Sequence, residues 1–535
     1  MKKRTFTQVL SCVLVAFMII GVFPVFGASE ELKGTTKDGF EYVIEDGEVT
    51  ITHYASDNPI VNIPSTIEGY PVTAIGYGAF RNVISDPKNI TEVTIPDTVK
   101  IIKSSAFAGC AIESITIPES VASIEPNAFN FCQLLEEITL PKGLQTISSS
   151  TFLGSKFAGK KDNWKDGALY LGSVLLDVEE SVEGDFVVKK GTTVIANEAF
   201  YECTLLKNVT IPEGVITIGG WAFYNCTALE SVTIPNTVRN IGSYAFYWCT
   251  SLKGQIVIPK GVTAINESTF FNCQCIESVI IPDTVKYIGR FAFEYAPNAE
   301  FTIPESVERI EYEAVKCSAP YNNTDNWQDG VLYLGSCLIE SNKDICGDYI
   351  VKDGTTLIAE HAFLFCRDLE SITIPEGVKY IGIGAFDYCS SLKTIVIPKS
   401  MIYIDYGAFN WRAINDAYFG GTQAQWEILT AEFTEDLSGV NVHFAEEQPS
   451  QSESNPATAD ELEYLIGDAN SDGNINVKDA TQVQKFVASL VILNDIQYLA
   501  ADANEDGVVN IKDATAIQKF IAGILDNSTI GNDKK

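Results

Sequence analysis

The sequence LESVTIPNTVRNIGSYAFYWC, residues 229–249, is one copy of a phrase that recurs from about residue 60 to about residue 410. Each copy has an Ile/Val-x-Ile-Pro step, a Val three residues after the Pro, an Ile, an Ala-Phe pair and usually a Cys three residues after the Phe. Most successive proline steps keep a nearly constant spacing, and they fall at Pro64, Pro96, Pro118, Pro141, Pro212, Pro235, Pro259, Pro282, Pro304, Pro375 and Pro398. The Ala-Phe step marks thirteen turns, at Phe80, Phe107, Phe129, Phe152, Phe200, Phe223, Phe246, Phe270, Phe293, Val315, Phe363, Phe386 and Phe409, with Thr in place of Ala at 151 and 269.

This period predicts a solenoid, because a unit of about 23 residues cannot bury its own apolar face and must stack on its neighbours. In the copy at 229–249 we expect a short strand that points Val232 and Ile234 inward. Pro235 then ends the strand, because proline has no N–H to donate to a ladder. The Phe and Cys of each unit should fill the core behind it.

The repeated phrase resembles the BspA-like (Treponema-type) leucine-rich repeats over the whole of the repeated region. The resemblance implies a mainly β leucine-rich-repeat solenoid of about 13 coils, which we place at residues 63–412. Residues 40–54 form two alternating segments around Asp46-Gly47, which predicts a hairpin within an N-terminal cap, residues 28–62. Residues 413–445 break the repeat and end in the strand-like VNVHF, which predicts a C-terminal cap.

A longer repeat lies over the short one. Pro96 recurs as Pro259 and Pro212 as Pro375 at one and the same offset. Two insertions, at 163–195 and 326–358, keep this offset and share NWxDGxLYLGSxLxx followed by GDxxVKxGTTxIA. A block of several repeats with one irregular unit is therefore present twice. We expect each insertion to form a strand-turn-strand hairpin, or alternatively an irregular repeat that continues the core.

The C-terminal sequence contains two similar twelve-residue loops, which begin at residues 468 and 502. Oxygen-bearing side chains stand at positions 1, 3, 5, 9 and 12, Gly473 and Gly507 at position 6 allow the sharp turn, and position 7 offers a backbone carbonyl. Ca²⁺ prefers six to eight oxygen ligands, so the pattern predicts two calcium ions. The predicted ligands are Asp468, Asn470, Asp472, Asn474, Asn476, Asp479, Asp502, Asn504, Asp506, Val508, Asn510 and Asp513.

Each loop is followed by an apolar stripe typical of a helix, at Val483, Phe486, Val487 and Leu490 and at Ile517, Phe520, Ile521 and Ile524. These duplicated segments, residues 461–526, resemble the type I dockerin module of cellulosomes. The resemblance implies calcium-dependent binding to a cohesin on a scaffold protein, and either helix can face the cohesin because the two copies are nearly the same. The implied cohesin contacts are Val477, Lys478, Ala480, Thr481, Gln484, Lys485, Ile511, Lys512, Ala514, Thr515, Gln518 and Lys519. The Ser-Thr pair widespread in this family at loop positions 10 and 11 is replaced here by Val-Lys and Ile-Lys.

The chain begins with Lys2-Lys3-Arg4 and an apolar run from 9 to 26, which predicts a signal peptide at residues 1–27. We therefore expect a secreted, extracellular protein with no later membrane span, held at the cell surface through the dockerin and a scaffold. Residues 446–460, EEQPSQSESNPATAD, are predicted to form a flexible linker. The formal net charge of −33 argues against nucleic acid as a partner and favours solubility.

Most of the cysteines are predicted to be buried packing residues and not redox-active thiols. Eight share the same offset after the Phe and should form a buried ladder of thiols: Cys110, Cys132, Cys203, Cys226, Cys249, Cys273, Cys366 and Cys389. Cys337 and Cys346 have no counterparts at the matching positions, Val174 and Glu183, which suggests a disulfide across the second hairpin, with two free thiols as the alternative.

No catalytic motif is present, and the three histidines, His53, His361 and His443, are too far apart in the sequence to share a site. We therefore expect a non-catalytic recognition or adhesion protein whose solenoid binds protein or glycan. The alternative is a polysaccharide-degrading enzyme with an unrecognised active site. The predicted outward row of the strands is Thr94, Thr116, Thr139, Thr210, Thr233, Val257, Ile280, Thr302, Thr373 and Val396. Flanking aromatic residues offer further contacts, or belong only to the repeat consensus: Trp221, Tyr224, Tyr247, Trp248, Tyr295, Tyr388 and Trp411.

Overall fold

The computed structural model describes residues 32–82, 90–431, 433 and 437–445, together with 464–465, 469, 501, 517 and 533–534. The chain divides into two units, Met1–Gln448 and Pro449–Lys535. The predicted signal peptide, the linker and nearly all of the two calcium loops lie outside the described residues. Within the described residues, no helix has the length and apolarity needed to cross a bilayer.

The first unit begins with the predicted cap. Leu32–Thr35, Phe40–Glu45 and Glu48–Tyr54 form an antiparallel sheet, and the hairpin turns at Asp46 and Gly47, whose φ angles of 51° and 76° suit an Asp-Gly turn. Glu48–Tyr54 then pairs in parallel with Tyr70–Ile75, which also pairs with Thr66–Ile67. The cap thus covers the open end of the solenoid with a paired strand, and the hairpin prediction is confirmed.

Most coils of the solenoid contribute one strand to each of two parallel series. We call the first series, most of whose strands end at the Ile-Pro step, the front strands: Ile60–Asn62, Glu92–Thr94, Ser114–Thr116, Glu137–Thr139, Gly184–Val187, Leu206–Thr210, Ser231–Thr233, Gly254–Val257, Ile276–Ile280, Cys346–Ile350, Asp368–Thr373, Thr394–Ile397, Asp416–Phe419 and Asn441–Phe444. We call the shorter strands before the Ala-Phe step the back strands: Ile101–Ile102, Ser123–Ile124, Val174–Val178, Val194–Ile195, Thr217–Ile218, Asn240–Ile241, Ala264–Ile265, Tyr287–Ile288, Arg309–Ile310, Cys337–Ser341, Leu357–Ile358, Tyr380–Ile381 and Tyr403–Ile404. Equivalent residues of successive coils lie side by side, as when Val209 pairs with Val232.

The core between the two series is built on stacked phenylalanine rings. The rings form three columns with centroids 4.7 to 5.6 Å apart: Phe80, Phe107, Phe129 and Phe152, then Phe200, Phe223, Phe246, Phe270 and Phe293, then Phe363, Phe386 and Phe409. All of these rings are almost completely buried. The ring columns are interrupted at the two insertions, although the apolar core continues across the first of them.

The insertions have the same topology. Each starts with a short helix, α1 (Lys156–Gly159) or α2 (Ala319–Asn322), and a 3-10 turn, Lys161–Asn163 or Thr324–Asn326. The antiparallel strands Trp164–Lys165, Ala168–Leu171 and Val174–Val178 follow in the first, and Trp327–Gln328, Val331–Leu334 and Cys337–Ser341 in the second. The predicted hairpins are therefore confirmed.

The last strand of each hairpin also joins the back series, because Val174 pairs with Val194 and Cys337 with Leu357 in parallel. The insertions thus continue the core as well as forming hairpins, and both expectations hold. They add coils that carry no Ala-Phe step, and the solenoid has about 17 turns in all, more than the 13 that this step marks.

The C-terminal end of the solenoid is closed by tryptophans and a last strand. Helix α3 (Gln423–Leu429) begins at a capping box between Thr422 and Gln425, and its Trp426 packs edge-on against Trp411 at 6.1 Å. The strand Asn441–Phe444 pairs in parallel with Asp416–Phe419, which confirms the predicted closing strand. The sequence did not predict α3.

The second unit is described at few positions. Tyr464–Leu465 pairs antiparallel with Asp533–Lys534, and Ala469, Ala501 and Ile517 are buried. Ile517 belongs to the apolar stripe predicted for the second helix. The paired strands bring residues near the two ends of this unit together, and Asp533–Lys534 lies beyond the predicted module end at residue 526.

Candidate recognition face and docking module

The outward-pointing residues of the front strands form an exposed surface. Eight of the ten residues predicted to point outward are exposed, and Thr373 and Val396 are half-buried. The structure adds Val187 and Ile350 to this outward row, and each of them is 70% exposed. They lie at equivalent positions within the two insertions, so the longer repeat could have identified them. We call this surface the front face.

A second outward row of the front face is polar and internally hydrogen-bonded. Asn208 Nδ2 donates to Asp185 Oδ1 at 2.6 Å, and Ser231 Oγ donates to Asn208 Oδ1 at 2.6 Å. In the later block, Ser371 Oγ donates to Asp348 Oδ1 at 2.6 Å. Because neighbouring coils hold these side chains in place, the polar row is ordered before any partner binds, which lowers the entropy cost of binding.

Most of the flanking aromatic rings stack on one another. Tyr201, Tyr224, Tyr247 and Phe271 form a column with centroids 4.6 to 5.0 Å apart and nearly parallel planes, and Trp221 stacks on Tyr244 at 5.1 Å. Their ring faces are therefore covered by neighbours of the same column. Trp411 is only 3% exposed and belongs to the C-terminal core. Tyr224 and Tyr247 thus fit the alternative that these aromatic residues belong to the repeat, and Trp221 has one ring face covered by Tyr244.

Three of the expected aromatic residues are exposed: Trp248, Tyr295 and Tyr388. Each has a left-handed backbone, with φ of 61°, 55° and 58°. Asn225 and Asn272 occupy the same position in other coils, and asparagine tolerates this conformation better than an aromatic residue, for which it costs about 1–2 kcal/mol. The same backbone recurs at Phe131, Cys317 and Phe365, so it belongs to the turn of the repeat, and the three aromatic residues remain candidate contacts because they are exposed.

The cysteine ladder is buried as predicted, and the structure adds a hydrogen bond to each of six of its thiols. Cys249 Sγ donates to the carbonyl oxygen of Phe223 in the preceding coil at 3.1 Å, and the same contact is made by Cys110, Cys132, Cys226, Cys273 and Cys389. Burial raises the pKa of the Cys132 thiol to about 12 and also raises the pKa values of Cys226 and Cys249. These thiols therefore stay protonated and contribute to packing and hydrogen bonding.

Thiol labelling should separate these cysteines from the exposed ones. In the folded protein we expect a thiolate-specific reagent to modify the exposed Cys275 and Cys346 rapidly and to leave Cys132, Cys226 and Cys249 unmodified until the solenoid unfolds. Because the folded-state pKa values are raised, the thiols favour the folded state fully below the unfolded thiol pKa of about 8.5, and this contribution falls as pH rises above it. Mass spectrometry of labelled peptides against pH measures both effects. Rapid native-state labelling of Cys249 at neutral pH would contradict this assignment.

The predicted disulfide between Cys337 and Cys346 is not formed. Cys337 is buried at the start of a back strand, whereas Cys346 is exposed at the start of a front strand, and both are free thiols. The hairpin that we expected the disulfide to cross ends before Cys346, so the two residues belong to different sheets. Of the two unassigned cysteines, Cys275 is exposed and Cys317 is partly buried.

The described residues contain no cluster of three or more His, Cys, Asp or Glu side chains that could hold a metal ion. The three histidines lie in separate places: His53 in the N-terminal cap, His361 in a turn and His443 in the last front strand. Burial, reinforced by Glu313, raises the pKa of Glu294 to about 7. Glu313 itself forms an ion pair with Lys316. Glu294 and Glu313 are therefore not arranged as a general acid and a general base.

The twelve predicted calcium ligands and the twelve predicted cohesin contacts all lie outside the described residues. The chemistry of the donor set nevertheless fits calcium, because each loop supplies carboxylate, amide and backbone oxygens and no sulfur or nitrogen ligand. Calcium would supply the charge that holds these carboxylates together in the bound module.

Two family models match the sequence. The BspA type leucine-rich repeat region matches in six copies, over residues 50–159, 184–255, 254–325 and 341–428. The dockerin type I domain, a calcium-binding module whose partner is a cohesin, matches residues 466–522. None of the curated proteins matches the chain.

Several similar solved structures are leucine-rich-repeat proteins of bacteria. A leucine rich cell surface protein of Faecalibacterium prausnitzii is 26% identical, with 76% of this chain and 99% of that chain covered and a TM-score of 0.24. A leucine-rich repeat protein of Bacteroides ovatus is 22% identical, with 70% and 95% covered and a TM-score of 0.22. One from Eubacterium ventriosum is 21% identical, with 72% and 95% covered and a TM-score of 0.26.

Proposed function

Because the chain belongs to the BspA-type leucine-rich-repeat family and also carries a type I dockerin domain, we propose that it is a secreted recognition subunit of a cellulosome-type assembly. In this proposal residues 1–27 direct secretion, the dockerin anchors the protein to a cohesin, and the solenoid binds a protein or glycan without catalysing a reaction. The observation that carries the proposal is the joining of a dockerin to a solenoid whose long front face is ordered and exposed.

The anchor depends on calcium in two loops. We expect Asp468, Asp472 and Asp479, with Asn470, Asn476 and the carbonyl of Asn474, to hold one ion. The equivalent residues Asp502, Asp506, Asp513, Asn504, Asn510 and Val508 hold the second. Without an ion, the three aspartates of each loop repel one another, and the following helix loses its fixed start. Calcium therefore links the fold of the module to its binding.

The cohesin is expected to bind either of two similar faces. Val477, Lys478, Ala480, Thr481, Gln484 and Lys485 form the first face, and Ile511, Lys512, Ala514, Thr515, Gln518 and Lys519 form the second. Since the residue types at equivalent positions are nearly the same, the module can bind in two orientations related by about half a turn. Either face alone should then support binding.

Binding of the full chain to a panel of purified cohesins, with calcium in excess, tests the anchor. We expect at least one cohesin to bind, and we expect K478E/K485E and K512E/K519E each to lose no more than a few-fold in affinity. The variant with all four changes should lose binding, because both faces then carry reversed charge. Complete loss with either pair alone would show a single orientation, and failure of every cohesin to bind the unaltered protein would refute the anchoring role.

The non-catalytic role of the solenoid is tested by incubating the full chain with plant polysaccharides and mucins and measuring released reducing ends. We expect no release above that of a heat-denatured sample. Hydrolysis that is abolished by a point substitution on the solenoid would overturn this role and favour a polysaccharide-degrading enzyme.

A further inference from the structure

The front face ends in a depression of about 430 Å³ at the carboxyl ends of the last four front strands. Its apolar wall comes from Ile374, Val396, Pro398 and Phe444, and its polar groups come from Glu376, Tyr418 and His443. An apolar cavity of this size with a few convergent polar groups has the character of a ligand site.

The depression forms where the last coils depart from the repeat. Gly420 stands where earlier coils have a proline, such as Pro398, and a Cβ added at Gly420 would lie 3.6 Å from Pro398 Cα and 3.5 Å from Glu376 Oε1. The absence of a side chain at this position therefore keeps the space open. Tyr418 and His443 also replace the β-branched residues of the outward row, so three departures meet at one place.

The aromatic groups of the depression are held in position. Tyr418 stacks on His443 with ring centroids 4.5 Å apart and planes inclined by 15°. His443 Nε2 lies 3.0 Å from Asp416 Oδ1, and this contact fixes the imidazole ring. Tyr418 remains 42% exposed, and its hydroxyl makes no hydrogen bond to the part of the chain that the structure describes. The tyrosine thus presents an ordered polar and aromatic edge to the depression.

Glu376 supplies an acceptor at the opposite side of the polar wall. Its Oε1 accepts a hydrogen bond from the Lys399 backbone N–H at 3.3 Å, whereas Oε2 makes none to the described residues. Glu119 makes the same contact with the Lys142 backbone N–H at 3.0 Å in an earlier coil, so this part of its role belongs to the repeat. The free carboxylate oxygen beside an aromatic and apolar wall is what distinguishes Glu376.

We propose that this depression binds a neutral pyranose unit of a glycan chain. A pyranose has an apolar C–H surface that can pack on Val396, Pro398 and the Tyr418 edge, and ring hydroxyls that can donate to the Glu376 carboxylate. The carboxylates of Glu376 and Asp416 disfavour an anionic sugar such as a uronate or a sialic acid. The proposal rests on the recognition role of the solenoid and names the glycan as the ligand class.

Isothermal titration of the full chain with cellohexaose, xylohexaose, mannohexaose, galactohexaose, an oligogalacturonate and a sialyl-lactose tests this assignment. We expect at least one neutral chain to bind and the two acidic ones not to bind. Y418T, which restores a β-branched residue of the repeat, and E376Q should each weaken that binding at least tenfold. E119Q changes the equivalent carboxylate of an earlier coil, and Y77A removes an exposed tyrosine elsewhere, so both should leave binding unchanged.

Three results would overturn the assignment: no neutral chain binds, an acidic chain binds best, or Y418T and E376Q bind as tightly as the unaltered protein. Thermal melting of each variant shows whether a loss of binding reflects unfolding, and Y418T is expected to melt like the unaltered chain. The predicted cohesin contacts lie at residues 477–519, and none of them lines this depression. If the unaltered chain is captured by a cohesin but binds no neutral glycan, this inference alone is refuted and the anchoring role stands.

Discussion

Chelation of calcium is expected to unfold residues 461–526 and to leave the solenoid folded. Six aspartates are concentrated in the two loops, and they repel one another when no cation lies among them. A ligand present at about 1,000 times its Kd stabilises the folded state by about 4 kcal/mol per site, so two sites supply most of the stability of so small a module. Cohesin binding should fall by more than a hundredfold with the loss of the fold.

Far-UV circular dichroism of the full chain, recorded with calcium and with excess chelator, measures the helical signal of the module against the β signal of the solenoid. We expect chelator to remove the helical signal and re-addition of calcium to restore it. D468A/D502A, which removes the first ligand of both loops, should behave like the chelated protein. D283A, an aspartate of the solenoid, serves as the matched control. An unchanged helical signal in chelator would refute the calcium assignment.

Removal of one ring from the phenylalanine column is expected to have the second large effect. Phe246 is fully buried, with Phe223 and Phe270 at 5.1 and 5.4 Å between ring centroids. F246A removes the ring and leaves a cavity in the core that the neighbouring coils cannot easily fill. The free energy of unfolding should fall by about 3–5 kcal/mol. Because each coil contacts mainly its neighbours, the loss should be greatest in the coils next to residue 246.

Hydrogen exchange of backbone amides, followed by mass spectrometry of peptides, measures this loss coil by coil. We expect faster exchange in F246A across about residues 206–293 and little change beyond the insertions, where the ring columns are interrupted. The matched control is F131A, because Phe131 is also a phenylalanine of the Ala-Phe turn but is 61% exposed. Equal effects of F246A and F131A would show that the column is not the main source of stability.

The sequence predicted most of the fold because the same residue types recur at the same offsets in successive repeats. Every copy places an apolar residue at the same offset, so Phe223, Phe246 and Phe270 could be assigned to one buried column before any contact was known. The outward row was predictable for the same reason, since side chains alternate along a strand. The hairpins were predictable because the inserted sequence is present in two matching copies. The sequence did not show whether the last strand of each hairpin also joins the core.

What the sequence did not reveal depends on contacts between residues far apart in the chain. Cys337 and Cys346 are close in the sequence and were expected to pair, yet the chain carries them to different sheets. Tyr247 and Trp411 looked like free aromatic surface, but the stacking of one coil on the next covers the first and the C-terminal cap covers the second. The thiol donors to phenylalanine carbonyls also join residues of successive coils, as between Cys249 and Phe223.

The sequence by itself determined the repeat and the two-block organisation and predicted the oxygen ligands of the docking module, because these follow from residue types at fixed spacing. Only the tertiary structure decided which outward residues form a site. The depression at Tyr418, Glu376 and His443 exists because the repeat ends at Gly420 and the last front strands end beside it. The regular spacing of residue types predicts the repeated coils, whereas this depression forms where the repeat ends.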